Sequence, residues 1–344
     1  MRYLSFCILI IVAATGSWWS VQSTSVDANL RGVAVVVRHG STIIWATGSK
    51  GTIVRSTDGG KTWDSVRISG AENLDFRGVQ TFDGQTVYVM SSGEGEQSRI
   101  YRSTDGGGTW EMQYSDKRKP FFLDALACSD AKHCFALSDP VDGKFLLLST
   151  TDGMHWKEMP REHMPPALPQ EGAFAASNSS LLLYGKSEIY FATGGPAARV
   201  FHSTDLGQSW SVSETPVLSG KPSQGIFSIV RAGETVVVVG GDYSEPNRGE
   251  KTAAYSADEG KTWHLAEGMP MGYRSGVDTF DAGFVAVGPN GAETSGDGIH
   301  WVEIGSPNLN AVTFISGKGW GVGAKGMAAE FVDQTEYTKE SATP

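Results

Sequence analysis

Charge is scarce in this chain of 344 residues: Asp, Glu, Lys and Arg together make up only 19%, less than a helix-rich protein carries. Basic residues are the scarcer sign, 28 against 38 acidic, which leaves a formal net charge of −10 with histidine neutral. That balance, with no polybasic tract, excludes a phosphate backbone or an anionic lipid surface as the partner, so no nucleic acid is expected. No His/Cys cluster has metal-ligand spacing, and no glycine-rich loop opens a helix, so no metal and no cofactor is expected. Cysteine is limited to three residues. Cys7 lies before the core of the apolar run "YLSFCILIIVAA", the wrong place for a lipid-modified cysteine at a cleavage point. That run is shorter than the ~20 apolar residues a spanning helix needs. With Arg2 before it and "ATGS" after it, residues 1–16 read as a signal peptide, a retained N-terminal anchor being the alternative. Cleavage removes Arg2 and no acid, leaving 27 basic against 38 acidic residues, a net charge of −11. An exported, soluble chain is the expectation, periplasmic or secreted. Cys128 and Cys134 in "LACSDAKHCFAL" would then meet oxidising conditions, where a disulfide staples a hairpin mouth. Free thiols are the alternative, and a metal site would need more ligands than His133 supplies.

Glycine, by contrast, is abundant at 43 residues, and apolar residues reach 40%, the composition of a folded chain with many tight turns. Much of that glycine recurs in one phrase. "STDGGKTW" at 56–63 returns as "STDGGGTW" at 103–110, "STDLGQSW" at 203–210 and "SADEGKTW" at 256–263. Two shortened copies, "TTDGMHW" at 150–156 and "SGDGIHW" at 295–301, complete a set ending in Trp63, Trp110, Trp156, Trp210, Trp263 and Trp301. Three short β-branched and aromatic segments precede each phrase and one follows it. A period of ~40–50 residues with four strands per unit predicts an all-β propeller of four-stranded antiparallel blades. After the sixth phrase, "LNAVTFIS", "GWGVGAKG" and "MAAEFVD" supply three strands of a seventh blade. The missing fourth is expected at the other end, over residues 19–26. A seven-bladed ring over 17–334 and a flexible tail over 335–344 are therefore predicted. The phrase itself reads as a hairpin turn: Asp58, Asp105, Asp152, Asp205, Asp258 and Asp297 accept turn N–H groups, and each Trp packs between blades. As catalysts these acids would need six separate active sites, so scaffolding is the expectation.

The pattern Ser-x-Asp-x-Gly-x-x-Trp resembles the Asp-box, or BNR, repeat of sialidases, sortilin-type receptors and several glycoside hydrolases. The unit "RGV…TGSKGTIVRSTDGGKTW" is more similar to the photosystem II stability and assembly factors and their bacterial relatives. The resemblance covers residues 19–332. It implies an exported propeller that binds a protein, a membrane or envelope complex subunit being the implied kind of partner, without catalysis. The photosynthetic members are associated with an Arg-rich binding patch, whereas this chain is acidic overall. The alternative is a carbohydrate-active protein, a sialidase-like glycoside hydrolase or lectin. A sialidase's "RIP" motif is missing, since "RIY" at 99–101 is a strand without the proline. A sugar site would demand aromatic platforms beside paired acids at the channel mouth.

Strand direction sorts the loops. Turns after first and third strands share one face, which holds the repeated turns and the Cys128–Cys134 hairpin. The long insertions "SDPVDGKF", "MPREHMPPALPQEG" and "GGDYSEPNRGEK" fall on the other, where loops on a rigid scaffold carry binding. Residues placed just before each first strand are expected to ring the channel mouth: Arg31, Arg77, Asp124, Glu171, Gln224, Arg274 and Asn310. From the insertions, Asp139, Asp142, Lys144, Arg199, Asp242, Tyr243, Glu245 and Arg248 are the further binding candidates. Tyr243 leads, because an exposed aromatic on a loop is costly without a partner. No catalytic residue is assigned, and a monomer is expected.

Overall fold

In the computed structural model, residues 18–332 are described, except 282. The expected leader over 1–16 and the tail over 335–344 lie outside them. Seven antiparallel sheets follow one another along the chain, six of four strands and one of five. Blade 1 runs from Leu30–Arg38 to Asp64–Val66, blade 2 from Asp75–Thr81 to Glu111–Ser115, and blade 3 from Leu123–Cys128 to Lys157–Glu158. Blade 4 spans Leu181–Tyr184 to Ser211–Glu214, blade 5 Lys221–Ala232 to His264–Leu265, and blade 6 Gly276–Phe280 to Val302–Glu303. The fifth strand is the two-residue Gly194–Gly195, which leaves blade 4 to pair with the first strand of blade 5.

The ring closes as the repeat predicts. Blade 7 is ordered from Leu309–Ile315 through Lys318–Gly323 and Met327–Phe331 to the N-terminal Trp19–Ser23, with Trp19 opposite Phe331 and Ser23 opposite Met327. Its inner strand meets blade 1 through the Asn310 amide, which donates to Asn29 Oδ1 at 2.6 Å and the Leu30 carbonyl at 2.7 Å. The core is divided among the blade interfaces. Phe145 of blade 3, for example, lies 5.2 Å from both Phe191 and Phe201 of blade 4, and Leu30, Ala46 and Val54 of blade 1 pack on Ala311, Val322 and Ala328 of blade 7. Middle strands such as Val87–Ser92 are buried on both faces, so they read as continuous apolar or small runs rather than alternating ones.

The repeated phrase is a turn closed largely by its own side chains, with the Gly59 N–H donating outside it to the Thr42 carbonyl at 3.0 Å. Ser56 Oγ donates to Asp58 Oδ1 at 2.8 Å and accepts the Gly60 N–H at 2.8 Å. Asp58 takes the Thr62 N–H at 2.9 Å and its hydroxyl at 2.7 Å. In the shortened copies a histidine ring nitrogen replaces that hydroxyl, His155 Nδ1 on Asp152 at 2.7 Å and His300 Nδ1 on Asp297 at 2.9 Å. The tryptophans reach back to the preceding blade. Trp110 meets Trp45 edge-on at 6.3 Å, Trp156 meets Tyr88 at 6.3 Å, and Trp263 Nε1 donates to Ser213 Oγ at 2.9 Å. On the same face, Cys128 and Cys134 stand opposite each other in the register of blade 3 and are joined by a disulfide.

Candidate functional site at the channel mouth

Each first strand of blades 1, 2, 3, 5 and 7 breaks register once, between Leu30/Gly32, Phe76/Gly78, Leu123/Ala125, Ile226/Ser228 and Leu309/Ala311. The extra residue of each β-bulge is Arg31, Arg77, Asp124, Phe227 or Asn310. A bulge re-aims its side chain out of the alternation of the strand, and all five of these line one pocket of 550 Å³ on the insertion face. Phe122, Asp139, Phe174, Tyr243 and Tyr273 complete its wall.

The channel beneath is stopped. Residues 172–180, where blade 4 lacks the upper part of an inner strand, cross the axis instead. Asn178 holds φ 66, accepts the Leu126 N–H at 2.8 Å and donates to the Leu126 carbonyl at 3.0 Å. Ser177 Oγ donates to the Ser275 carbonyl at 2.6 Å, and Arg77 Nη1 to the Ala175 carbonyl at 3.1 Å. Gly78 makes room, since a Cβ there would lie 2.6 Å from Asn178 Oδ1. Below this plug a second pocket of 230 Å³ holds Asp278, whose carboxyl burial pushes up to about 6 although it takes the Phe314 and Thr279 N–H groups.

Charge at the mouth is unevenly satisfied. Arg77 is paired with Asp75 at 2.8 Å. Arg31 lies beside it with Nε unpartnered among the described residues, and burial together with the Arg77 charge lowers its pKa. Across the pocket, Asp124 is 1% exposed, and neither carboxylate oxygen has a hydrogen-bond partner among the described residues. Burial, then the neighbouring Asp139, pushes its carboxyl well above the usual range. Asp139 accepts the Ala173 N–H at 2.9 Å, and burial raises it to about 6. The aromatic wall is packed against itself: Phe174 and Phe227 stack at 3.8 Å and 13°, and Tyr273 stands edge-on to Phe227 at 4.7 Å. Tyr243 leans on both phenylalanines yet remains 53% exposed.

The remaining expected residues lie elsewhere. Glu171 does not ring the mouth, because the stretch after it is the plug rather than a strand. Its carboxylate is buried against Arg199 and takes the Thr193 hydroxyl at 2.6 Å and the Leu168 N–H at 2.8 Å. Arg199 is therefore a clasp inside the scaffold, not a loop charge. Arg274 is 1% exposed and bound to Glu293 and to Asn290 Oδ1 at 2.7 Å. Tyr273 takes the place at the mouth expected of Arg274. Gln224 sits inside Lys221–Ala232 and donates to Asp242 at 2.9 Å, so the bulge of blade 5 presents Phe227 instead. Burial opposes the Asp242 charge, but hydrogen bonds from Ser244 and Gln224 hold its carboxyl below the usual range. Asp142 is the exposed turn residue of a hairpin at φ 54, Lys144 donates to the Arg161 carbonyl at 2.8 Å, and Arg248 is paired with Glu250 at 2.7 Å and Glu245 at 3.7 Å. Phe122, Phe174, Phe227 and Tyr273 were not expected. The four-residue patterns "LRGV", "FRGV", "LDAL", "IFSI" and "LNAV" carry the signal for Phe227, since its equivalents are Arg31, Arg77, Asp124 and Asn310.

The family model described as the DUF6242 β-propeller domain matches residues 13–287. The chain belongs to that family. This DUF6242 propeller is similar to the solved structure of YCF48 bound to D1 peptide, with a TM-score of 0.66 at 16% identity over 94% of this chain and 99% of that one. It is similar also to YCF48 from Cyanidioschyzon merolae, with a TM-score of 0.62 at 17% identity over 92% and 99%. BamB from Moraxella catarrhalis follows at 0.51 and 12%, over 89% and 83%. At such identities the likeness is one of fold. No curated protein matches the DUF6242 chain by sequence.

Proposed function

We propose that the protein is an exported, monomeric, non-catalytic scaffold that docks a segment of a protein partner into the channel mouth, the partner being a subunit of a membrane or envelope complex. One observation carries this reading: five bulges converge on a single pocket whose floor is closed by residues 172–180. A ligand enters from the insertion face and goes no further. The leader-like start supports export, and YCF48, solved with a D1 peptide, supports a peptide as the occupant. The test is a photo-crosslinking residue at Tyr243, with the exposed Leu206 on the opposite face as control, used in the native host and read by mass spectrometry. One partner segment linked from position 243 and none from 206 is expected, together with a mature N-terminus near residue 17. Equal background from both positions would overturn docking at the mouth.

A carbohydrate ligand is the second reading. It is favoured by the paired acids Asp124 and Asp139 beside aromatic rings, the arrangement a sugar site demands. Against it, Phe174 and Phe227 spend one ring face on each other, which leaves Tyr243 as the exposed platform. A glycan array with a hydrolysis screen, repeated with Asp139→Asn, decides this reading.

A further inference from the structure

Several buried or largely buried carboxylates of this chain are fully supplied. Glu171 has Arg199, Thr193 and the Leu168 N–H; Glu293 has Arg274; Asp242 has Gln224 and Ser244. Asp124, 1% exposed against 0% for Asp242 and 2% for Glu293, has no hydrogen-bond partner for either oxygen among the described residues. The nearest candidate donor, the Asp139 N–H, is spent on the Phe122 carbonyl at 3.0 Å. Nor is the placement a by-product of strand geometry, because a bulge at Asp124 turns the side chain into the pocket and pairing resumes at Ala125. A buried polar group left without partners is unfavourable, and a fold that supplies Glu171, Glu293 and Asp242 leaves both oxygens of Asp124 for something outside the chain.

The groups around it define what that is. Asp139 faces Asp124 from the next strand with Oδ2 unengaged by the Ala173 N–H, which binds Oδ1. From blade 2 comes Arg77, held by Asp75, with Arg31 beyond it, and the phenols of Tyr243 and Tyr273 close the far wall. No ion pair joins either arginine to Asp124 or Asp139 among the described residues. We propose that the Asp124–Asp139 pair receives an organic cation carried by the docked segment, a lysine or arginine side chain or a free N-terminal amine. This rests on the peptide-docking reading and deepens it. An ammonium or guanidinium brings several donors at once, enough for both acids, and Tyr243 and Phe174 can cover its apolar stem. Arg31 and Arg77 repel a cation from their own side of the pocket, which confines it to the acids, while the free Arg31 Nε–H is available to a peptide carbonyl. An inorganic ion fits less well, since no group of three or more ligating side chains gathers among the described residues.

Without a cation the pair keeps a proton, because two adjacent carboxyls, one buried and the other largely so, do not both ionise near neutrality. The cation enters with its charge, the pair forms, and the displaced proton leaves to solvent. Binding therefore tightens as the pH rises from about 5 to 8.

The experiment is a positional-scanning library of amidated pentapeptides, with acetylated and free N-terminal arms, passed over the immobilised full-length mature protein. Sublibraries with Lys or Arg fixed at one position, or the free-amine arm, should be retained about tenfold over the Gln and Glu ones. Asp124→Asn should erase that preference while raising the melting temperature at pH 7, which shows that the variant folds. Calorimetry of the best peptide in phosphate and Tris buffers should report proton release for wild type and none for Asp124→Asn. Equal retention of Lys and Gln sublibraries would leave peptide docking standing and overturn the cation. Preference for Glu or Asp would assign the mouth to its arginines and overturn it likewise. No retention of any sublibrary overturns both.

Discussion

Asp58 takes two hydrogen bonds from Thr62 and one from Ser56, and these hold its carboxyl down to about 2; Asp105 and Asp205 are held at about 2 in the same way. Asp139 and Asp278 go in the opposite direction, pushed up to about 6 by burial. The two sets have opposite consequences for stability. A depressed carboxyl contributes stability that is present above the unfolded pKa of ~3.9 and lost as pH falls towards 2. A raised one is neutral in both states at low pH, and it weakens the fold as pH climbs from ~4 to 6 and the unfolded chain ionises first. Asp139→Asn keeps an oxygen for the Ala173 N–H and removes the ionisation. The variant should therefore melt higher than wild type at pH 7, by on the order of 1–3 kcal/mol, with the two converging below about pH 4. Scanning calorimetry from pH 3 to 8 checks this. A variant curve parallel to wild type across that range would mean that Asp139 is not held as an acid by its burial.

Elements differ in how much of their structure is carried by neighbours in the chain. Apart from the Gly59 N–H, which donates to the Thr42 carbonyl, the turn at 56–63 is closed by bonds spanning four residues or fewer, so it can be read from its letters wherever it recurs. The bulge positions Arg31, Arg77, Asp124 and Asn310 are legible for a related reason, since each sits at one place in a repeated unit. Phe227 is hidden because the long first strand of blade 5 begins at Lys221, which draws attention to Gln224 instead. The plug at 172–180 could not be read at all. Its conformation depends on Leu126, Ser275 and Arg77, 52 to 98 residues away in the chain, and on a glycine at 78 that looks like any other strand glycine. Asn178→Ala tests that element. It removes both bonds to Leu126 and places an alanine at φ 66, so it should cost ~2–3 kcal/mol. Denaturant unfolding measures the loss. A cost under ~0.5 kcal/mol, within the range of surface substitutions, would show that the plug is held by its serines and Arg77 without Asn178.

At the scale of the whole ring, the two chain ends share one blade, and this sets how the molecule comes apart. A propeller of four-stranded blades has two interfaces per blade, and blade 7 makes its own with strands from opposite ends of the sequence. Trp19 is 4% exposed, packs edge-on to Phe331 at 5.3 Å and joins the cluster shared with Val285, Val287 and Leu309 of blades 6 and 7. Trp19→Ala should thus cost ~3–5 kcal/mol, the range for emptying a large core site. Deleting residues 18–26 should cost more, because it also exposes the edge of Met327–Phe331 and removes the Thr24 hydroxyl bond to the Gly326 carbonyl at 2.7 Å. The damage should be graded round the ring. Hydrogen exchange should accelerate in blade 7 first and then at its interfaces with blades 1 and 6, while the Phe145–Phe191–Phe201 stack between blades 3 and 4 stays protected longest. A synthetic peptide of residues 18–26 added in trans should restore part of the melting temperature in proportion to its concentration, since it binds the folded ring alone. Deletion with no change in melting temperature or exchange would mean that the ring is held shut by blades 1 and 7 without the N-terminal strand.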